Sequence, residues 1–455
     1  MIRRLSTLLL LACLVAACAP RLYPPTVEVN DAYRYGDRFR QDTLQVDSCW
    51  WRLFGDTTLN RLVERALEQN RDLRSAASRI EQAREQLRIA RAAFLPAEGF
   101  ELEAKPTYNR ETKIVQSYAV GATLSWEISL FGALRHTTEA ARAEYAAAVW
   151  SARGVALSLA AEVATAYFTR LQYERDLLIA THTYQLRRES AALIDSLYRH
   201  GMSSGIDREQ AYSQVYQAEA DIPRYRSAIE QSGLVLNLLL GEPPQRVLYG
   251  VGERLLTDRQ PDTLGIGVPS ELLQRRPDVM ASYYALQQAA AKVGVARAAR
   301  FPSLMLTANG GIGAASIRGL SSSNPAVWSA VGTLTTPLWA AGKLKAEERT
   351  MVAAYNEAAY GYEQTLLGAF SDVEQTLSTL AANRIETERY RALVASYTTI
   401  DEMAHALYRN GMINYLEVID AERTLYAARM ELVNLVAQQY INYVTLCKAL
   451  GGGWR

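Results

Sequence analysis

The sequence predicts a mainly α-helical protein with a small β part, built from two similar halves. Two long stretches, 134–198 and 344–408, contain no proline and few glycines, as long helices require. Two other segments alternate apolar and polar residues, which is the pattern of β-hairpins. Short motifs also recur, because Tyr198-Arg199-His200-Gly201-Met202 matches Tyr408-Arg409-Asn410-Gly411-Met412 at an offset of 408 − 198 = 210 residues. The chain is therefore internally duplicated.

Residues 1–17 have the pattern of a bacterial lipoprotein signal peptide. Arg3 and Arg4 precede a short apolar stretch, and small residues stand directly before Cys18. We expect acylation of Cys18, and an ordinary signal peptide with an incidental cysteine is the alternative. Acyl chains contribute about 0.8 kcal/mol per buried methylene, so several of them would hold the protein at a membrane. Cys49 and Cys447 lie 447 − 49 = 398 residues apart, which is weak evidence for a disulfide, and we expect two free thiols.

After the signal, the chain divides into an N-terminal segment, two repeats, a connector and a short tail. Each repeat is predicted to contain a helix, a β-hairpin and two long antiparallel helices joined by a turn. The first helix runs from Thr58 to Ala93 in one repeat and from Ser270 to Ala299 in the other. Asp207 and Asn414 are expected to cap the returning helices. The boundaries are 18–57 for the N-terminal segment, 58–241 for repeat 1 with its turn at 201–205, 242–269 for the connector, 270–450 for repeat 2 with its turn at 411–414, and 451–455 for the tail.

The hairpins, at about 99–129 and 303–338, have one apolar and one polar face. Phe100, Leu102 and Ala104 alternate with Glu101 and Glu103. Strands of about ten residues with this pattern fit a transmembrane barrel with a wet interior. A soluble sheet with one buried face is the alternative. Four strands leave two open edges, which are costly in lipid, so the sheet would span a membrane only by closing with other copies of itself.

The long helices need neighbours on more than one side. Some 65 residues of helix reach about 100 Å, which exceeds the diameter of a single domain. The helix after the second turn carries a heptad seam, and a second apolar stripe lies beside it, as in a barrel of helices. A helix buried in an ordinary bundle is the alternative, and it fits the stripes but not the length. The seam consists of Met412, Leu416, Ile419, Arg423, Tyr426, Met430, Val433, Ala437, Tyr440, Val444 and Cys447.

Composition and motifs argue against nucleic-acid binding and enzymatic activity. The net charge is +1, so no electrostatic footprint for nucleic acid exists. The four histidines lack metal-ligand spacing, and we expect neither a metal nor a cofactor other than the lipid on Cys18. The chain has no phosphate-binding loop and no nucleophile elbow. We therefore expect no catalysis, and the energy for transport would come from a partner.

Four motifs, together with the signal and the duplication, resemble the TolC-like outer-membrane efflux factors in their lipoprotein branch. The motifs are WWRLFGD, SELLQRRPDV, YRNGMINYLEVIDAERTLY and LCKALGGGW, and the resemblance covers residues 50–454. The resemblance implies a homotrimer with a shared 12-stranded outer-membrane β-barrel and a periplasmic α-barrel. The N-terminal segment and the connector would form an equatorial belt. The implied partners are a periplasmic adaptor protein, an inner-membrane pump of the resistance-nodulation-division type and outer-membrane lipid.

The resemblance also implies that the two turns are the periplasmic tips that meet the adaptor. A plain structural turn is the alternative for these residues. The expected contacts are Gly201, Met202, Ser203, Ser204, Gly411, Met412 and Ile413.

Just beyond the second turn the two repeats differ. Asp420 corresponds to Gln210 and Arg423 to Ser213, so repeat 2 has gained an acid and a base three residues apart. The family's gating residues fall at these positions, and Leu416, Asp420 and Arg423 are therefore expected to form a gate at the tunnel mouth. An exposed i,i+3 pair worth about 0–1 kcal/mol is the alternative.

The function implied by the resemblance is a passive exit duct of a tripartite efflux system for drugs or other small molecules. A conduit for type I protein secretion is one alternative. A structural lipoprotein that spans the periplasm without a pore is the other, although such a strut needs no hairpins.

Overall fold

The computed structural model describes residues 22, 23, 25, 27, 32–35, 49–109, 113–245, 275–318, 320 and 326–452. Cys18 and most of the predicted connector lie outside this range. The predicted fold class is confirmed, since long helices dominate and the strands form one small antiparallel sheet. A short 3-10 helix, Trp50–Phe54, comes first. The other elements are α1 (Thr57–Gln69), α2 (Arg71–Ala92), β1 (Ala97–Asn109), β2 (Lys113–Ile128), α3 (Ala133–Arg199), α4 (Gly205–Leu239), α5 (Pro277–Ala298), β3 (Ser303–Ala314), β4 (Ala326–Thr335), α6 (Lys343–Arg409) and α7 (Tyr415–Ala449).

The prediction of a single helix from Thr58 to Ala93 was wrong, because the structure contains two helices separated at Asn70. The backbone of Asn70 is extended, with φ −58° and ψ 136°. Its side-chain oxygen accepts hydrogen bonds from the backbone N–H groups of Asp72 (2.8 Å) and Leu73 (3.1 Å). Asn70 therefore ends α1 and caps α2, which the apolar periodicity does not reveal.

The last strand is shorter than predicted. We expected a strand as far as Leu338, but β4 ends at Thr335. Pro337 follows two residues later, and proline has no N–H to donate to a strand ladder.

The described chain forms two compact units, and the first contains the sheet. The strand order is β1-β2-β3-β4, and every neighbouring pair is antiparallel. Cross-strand partners share a face, so one row contains Phe100, Ala122, Gly310 and Trp328. The next apolar row in β1 and β2 pairs Leu102 with Val120. Phe100, Leu102 and Trp328 are 72%, 75% and 81% exposed, so this face is apolar and open.

The opposite face of the sheet is polar. One of its rows joins Gly99, Thr123, Asn309 and Ser329. Glu101, Glu103 and Lys105 of β1 belong to the same face, because side chains alternate along a strand. The outer strands, β1 and β4, each have one neighbour in the described sheet.

Helices α5 and α6 pack together in the first unit around Leu286, Val293 and Tyr355. The N-terminal residues Leu22 and Tyr23 join this cluster. The Tyr23 hydroxyl donates to Glu363 Oε1 (3.0 Å), and the Tyr355 hydroxyl donates to the Tyr23 carbonyl (2.9 Å). Tyr23 is therefore held against α6.

The second unit has the main apolar core, in which the 3-10 helix is buried. Trp50 is 1% exposed and belongs to a buried cluster that also contains residues of α1, α3, α4, α6 and α7. Burying a side chain of this size stabilises the fold by about 1.5–3 kcal/mol or more. Cys447 is buried in the same core, and both it and Cys49 are free thiols, as expected.

Arg276, in the RRPD segment, joins three parts of the second unit. Its guanidinium donates to Asp278 Oδ2 (2.7 Å) and to Asp372 Oδ2 (2.9 Å) on α6. It also donates to the carbonyls of Ala369 (3.3 Å) and Ala449 (3.1 Å). Arg276 thus ties the start of α5 to α6 and to the end of α7.

Among the described helices, α3 alone contains a stretch that is long and apolar enough, by length and composition, to cross a membrane. This observation is weak evidence for a span, because a helix that packs in a core passes the same test.

Candidate functional site at the helical turns

The two turns have the same backbone geometry. Gly201 and Gly411 have φ values of +74° and +70°, in the left-handed region that favours glycine. The N–H of Met202 donates to the Leu197 carbonyl (2.8 Å), and that of Met412 donates to the Leu407 carbonyl (3.0 Å). These bonds satisfy carbonyls that the ends of α3 and α6 would otherwise leave free.

The turn residues differ in how far they are accessible. Met202 and Met412 are each 69% exposed, and Ser204 is exposed. Ser203 is half-buried and donates to Asp207 Oδ2 (3.1 Å). Ile413 is also half-buried and packs against the apolar cluster between the helices. The methionines are thus the apolar groups that each turn presents.

The prediction that Asp207 is the N-cap of α4 was wrong by three residues, because Ser204 occupies that position and Asp207 is its partner in the first turn. The Ser204 hydroxyl accepts from the Asp207 N–H (3.1 Å), and the Asp207 carboxylate accepts from the Ser204 N–H (3.2 Å). This reciprocal pair is a capping box. Asn414 does occupy the N-cap position of α7, but its side chain makes no capping hydrogen bond.

The predicted gate residues lie together on an exposed face of α7. Arg423 Nη2 is 2.9 Å from Asp420 Oδ1, and their side chains are 66% and 64% exposed. Leu416 is 59% exposed, one turn closer to the tip. The heptad seam that contains Leu416 and Arg423 is buried further along α7, at Val433 and Val444. At the tip end of the seam Met412, Leu416 and Arg423 are exposed, whereas Ile419 between them is buried in the apolar cluster between the helices.

A polar network lies in the interior beside the tips, in a cavity of about 490 Å³ between α3, α6 and α7. Arg187 of α3 is buried, with 3% of its side chain exposed, and its guanidinium lies 5.5 Å from the centre of the Tyr426 ring. Its Nε is 3.9 Å from Glu422 Oε2, and His405 Nε2 is 3.1 Å from Glu422 Oε1.

One further hydrogen bond extends this network to α4. The Tyr426 hydroxyl donates to Asp221 Oδ2 of α4 (2.8 Å). The hydrogen bond from His405 to Glu422 raises the pKa of His405, while burial works in the opposite direction. Burial is the main reason why the pKa of Tyr426 is raised above its usual range.

Sequence reasoning missed this network. The one available signal was the duplication, because His405 corresponds to Asp195 and Glu422 to Tyr212 at the offset of 210. At these two positions, repeat 2 therefore has a basic residue in place of an acidic one and an acidic residue in place of a neutral one.

An exposed apolar sheet face and long paired helices with glycine turns are the architecture of an outer-membrane channel. The model of the outer membrane efflux protein family matches residues 62–242 and 268–452 of this chain. The chain belongs to this family.

Three similar proteins agree with this assignment. Outer membrane protein OprJ of Pseudomonas aeruginosa is 34% identical over 465 residues, which cover 98% of this chain and 95% of that protein. The probable outer membrane lipoprotein SilC of Salmonella typhimurium is 32% identical over 419 residues, 90% of this chain and 88% of that protein. The solved structure of the outer-membrane channel OprN has a TM-score of 0.90 at 26% identity and covers 96% of this chain and 99% of that chain.

The chain is thus an outer-membrane efflux channel, the outer-membrane component of a tripartite pump. It lies in the outer membrane and extends into the periplasm. Its relatives are channel proteins rather than enzymes.

Proposed function

We propose that three copies of this chain assemble into one exit duct, which conducts small molecules and opens at its helical tips. The observation that carries this proposal is the sheet, in which an apolar face is open and β1 and β4 have one neighbour each. Unpaired strand edges are not tolerated in lipid, so β4 of one copy would pair with β1 of the next. Three copies of a four-stranded sheet give a closed barrel of twelve strands.

The polar sheet face would line the barrel interior. It combines the acids Glu101 and Glu103 with the base Lys105, and serines, threonines and an asparagine surround them. A lumen with both signs of charge does not select strongly for one charge class, which suits a duct for varied small solutes. A protein-secretion conduit remains the second candidate for cargo.

The tips would dock a helical periplasmic adaptor, which in turn binds an inner-membrane pump of the resistance-nodulation-division type. Met202 and Met412 supply flexible apolar side chains, and methionine adapts well to partner surfaces. Ser204 supplies a polar contact beside them. Ile413 would position the second turn rather than touch the adaptor, because it packs inward.

The gate would consist of Leu416, Asp420 and Arg423 from the three copies. In the single chain the Asp420–Arg423 pair is exposed and therefore worth only about 0–1 kcal/mol. In a trimer the same groups could pair between chains and become shielded from water, which strengthens their interaction. Partner binding would then shift the equilibrium towards splayed tips.

Acylation of Cys18 would anchor the N-terminus in the outer membrane. Tyr23, which follows Cys18 in the sequence, is held against α6. SilC, a similar protein, is described as a probable lipoprotein. Metabolic labelling with a radioactive fatty acid should mark the wild type and not Cys18→Ser, and equal labelling would refute acylation at this residue.

The gate is tested by single-channel conductance in planar bilayers. Asp420→Ala combined with Arg423→Ala should raise the conductance of the assembled trimer. Glu85→Ala with Arg88→Ala is the matched control, because that pair is also exposed, three residues apart and 3.0 Å long. Equal conductance of wild type and gate variant would contradict the gate, and a monomer in native mass spectrometry would contradict the trimer.

Cargo is tested in a strain that lacks the gene. Complementation should restore tolerance to toxic small molecules without changing the set of secreted proteins. Loss of secreted proteins with unchanged tolerance would favour the protein-secretion alternative.

A further inference from the structure

One buried carboxylate beside the tips, Glu422, lies close to a basic side chain from each helical hairpin. Arg187 belongs to the first hairpin (α3 and α4), and Glu422 and His405 belong to the second (α6 and α7). Arg187 approaches Glu422 Oε2 at 3.9 Å, and His405 contacts Glu422 Oε1 at 3.1 Å. The Glu422 side chain is 11% exposed, so water does little to compensate its charge.

Arg187 is well placed to hold the two hairpins together. Its Nη1 donates to the Gln214 carbonyl of α4 (3.2 Å), and its guanidinium lies over the ring of Tyr426 on α7. No hydrogen bond satisfies its buried Nε among the described residues, and Glu422 is the carboxylate that this atom approaches. Contacts to both hairpins thus converge on one side chain.

The first hairpin has a different tie at the equivalent position. Asp195, which corresponds to His405, accepts a hydrogen bond from Arg208 Nε of α4 at 2.9 Å. Arginine stays charged at every physiological pH. The contact between α6 and α7 therefore includes an imidazole, the side chain whose ordinary pKa lies nearest neutral pH, and the equivalent contact between α3 and α4 does not.

We propose that protonation of His405 releases Arg187 from Glu422 and frees the second hairpin from the first, so that mild acid favours the open tip. A protonated His405 neutralises Glu422, and the departure of Arg187 then leaves no uncompensated buried carboxylate. A neutral His405 gives no such compensation, and Arg187 is retained. This inference rests on the proposed gate, because it describes what permits the hairpin with Asp420 and Arg423 to move.

Charged groups from three helices line the cavity that His405 also lines. Asp401, Glu402 and Arg409 lie on its own helix α6, with Asp401 Oδ1 at 3.8 Å. Glu422 and Arg429 line the cavity from α7, and Arg187 and Glu189 line it from α3. The bond to Glu422 raises the pKa of His405, Asp401 acts in the same direction, and burial and Arg409 oppose it.

Thermodynamic linkage between proton binding by His405 and the departure of Arg187 from Glu422 determines in which direction each changes the other. Removing Arg187 leaves Glu422 to His405 alone and takes away a like charge, so it must raise the pKa of His405 further. Coupling between two equilibria is reciprocal, and a proton on His405 must therefore favour the departure of Arg187 by the same factor.

The first test measures this reciprocity directly by carbon-13 NMR of labelled histidine in detergent-solubilised trimers. The chain has only four histidines, so His405→Gln assigns the signal. Arg187→Met should raise the pKa of His405 above the wild-type value, and Glu422→Gln should lower it. An unchanged or lowered pKa in Arg187→Met would overturn the proposal, as would an unchanged pKa in Glu422→Gln. If Arg187→Met fails to assemble, the Glu422→Gln result still decides.

The second test measures conductance in planar bilayers at pH 8 and pH 6, above the range where ordinary carboxylates titrate, about pH 4. Wild type should conduct about fivefold more at pH 6, the lower end of typical coupling between sites. His405→Gln should stay at the low level at both values. Equal pH responses of His405→Gln and wild type would refute the proposed release of Arg187 by protonated His405. The gate is judged separately, because Asp420→Ala with Arg423→Ala should open the tip at both pH values whether or not His405 matters.

Discussion

The hydroxyl of Tyr167 donates a 2.8 Å hydrogen bond to Asp56 Oδ2, while Asp56 Oδ1 caps α1 through the N–H groups of Thr58 (2.8 Å) and Leu59 (3.1 Å). One buried carboxylate therefore connects the WWRLFGD segment, the first helix and the long helix α3. Trp50 and Trp51 of this motif and Tyr167 of α3 belong to the same buried apolar cluster, the main core of the second unit.

Replacing Asp56 should lower the stability of this core. Asp56→Ala removes a helix cap, worth about 0.5–2 kcal/mol, and breaks the hydrogen bond that the buried Tyr167 hydroxyl donates to Asp56, at about 1–3 kcal/mol. Thermal unfolding of the assembled protein measures the loss. Asp56→Asn keeps an oxygen for the cap and should lose clearly less. Equal losses for the two variants would show that the cap contributes nothing.

Arg276→Ala should loosen the joint between α5, α6 and the end of α7. It leaves the Ala449 carbonyl unpaired, and it deprives Asp278 and Asp372 of a partner. The two carboxylates are half exposed, so the expected loss is about 1–3 kcal/mol, below that of a fully buried pair. The neighbouring Arg275→Ala is the control. Equal melting temperatures for Arg276→Ala and wild type would contradict the assignment.

The stability that the contact between Arg276 and Asp278 contributes should decrease in acid. Burial favours the neutral form of Asp278, but the hydrogen bonds and charge of Arg276 outweigh it and lower the pKa. A lowered pKa contributes stability that is present above the ordinary value, about 3.9, and is lost as the pH falls through the folded value. The wild type should therefore lose more stability than Arg276→Ala between pH 5 and pH 2. Parallel pH profiles would exclude this contribution.

Asp176 should affect stability with the opposite sign. Burial raises its pKa to about 7, and the nearby Arg224 only partly counteracts this. The folded state holds a proton that the unfolded state releases above about pH 4, so stability falls as the pH rises from there to about 7. Asp176→Asn should raise the melting temperature at pH 8 and change it little at pH 4, with the exposed Asp72→Asn as control. A variant less stable than wild type at pH 8 would refute this.

Adjacent residues of β1 should respond in opposite ways to the same substitution. Leu102→Arg places a charge on the apolar face, at about 2–4 kcal/mol near the middle of a bilayer. Glu103→Arg places it on the polar face and should be tolerated. The amount of heat-resistant trimer recovered from outer membranes compares the two. Equal recovery would contradict the lipid-facing assignment of the apolar face.

The repeat, the long helices and the faces of the hairpins follow from the sequence alone, because each depends on residues close together in the chain. Helical runs without proline, alternation along a strand and a glycine at a turn are local properties, and the repeat shows them twice. The two turns and the exposed Asp420–Arg423 pair were found in this way.

Only the tertiary structure decided which residues meet inside the helical hairpins. Arg187 and Glu422 are 422 − 187 = 235 residues apart, and Asp221 and Tyr426 are 426 − 221 = 205 apart, so no local period links them. The break at Asn70 depends on one side chain that bonds to its own backbone within an otherwise continuous pattern. Local chemistry therefore determined the helices and strands of this channel. Long-range packing determined which charges are buried between them, because the free energy of a buried charge depends on partners that only the fold brings within reach.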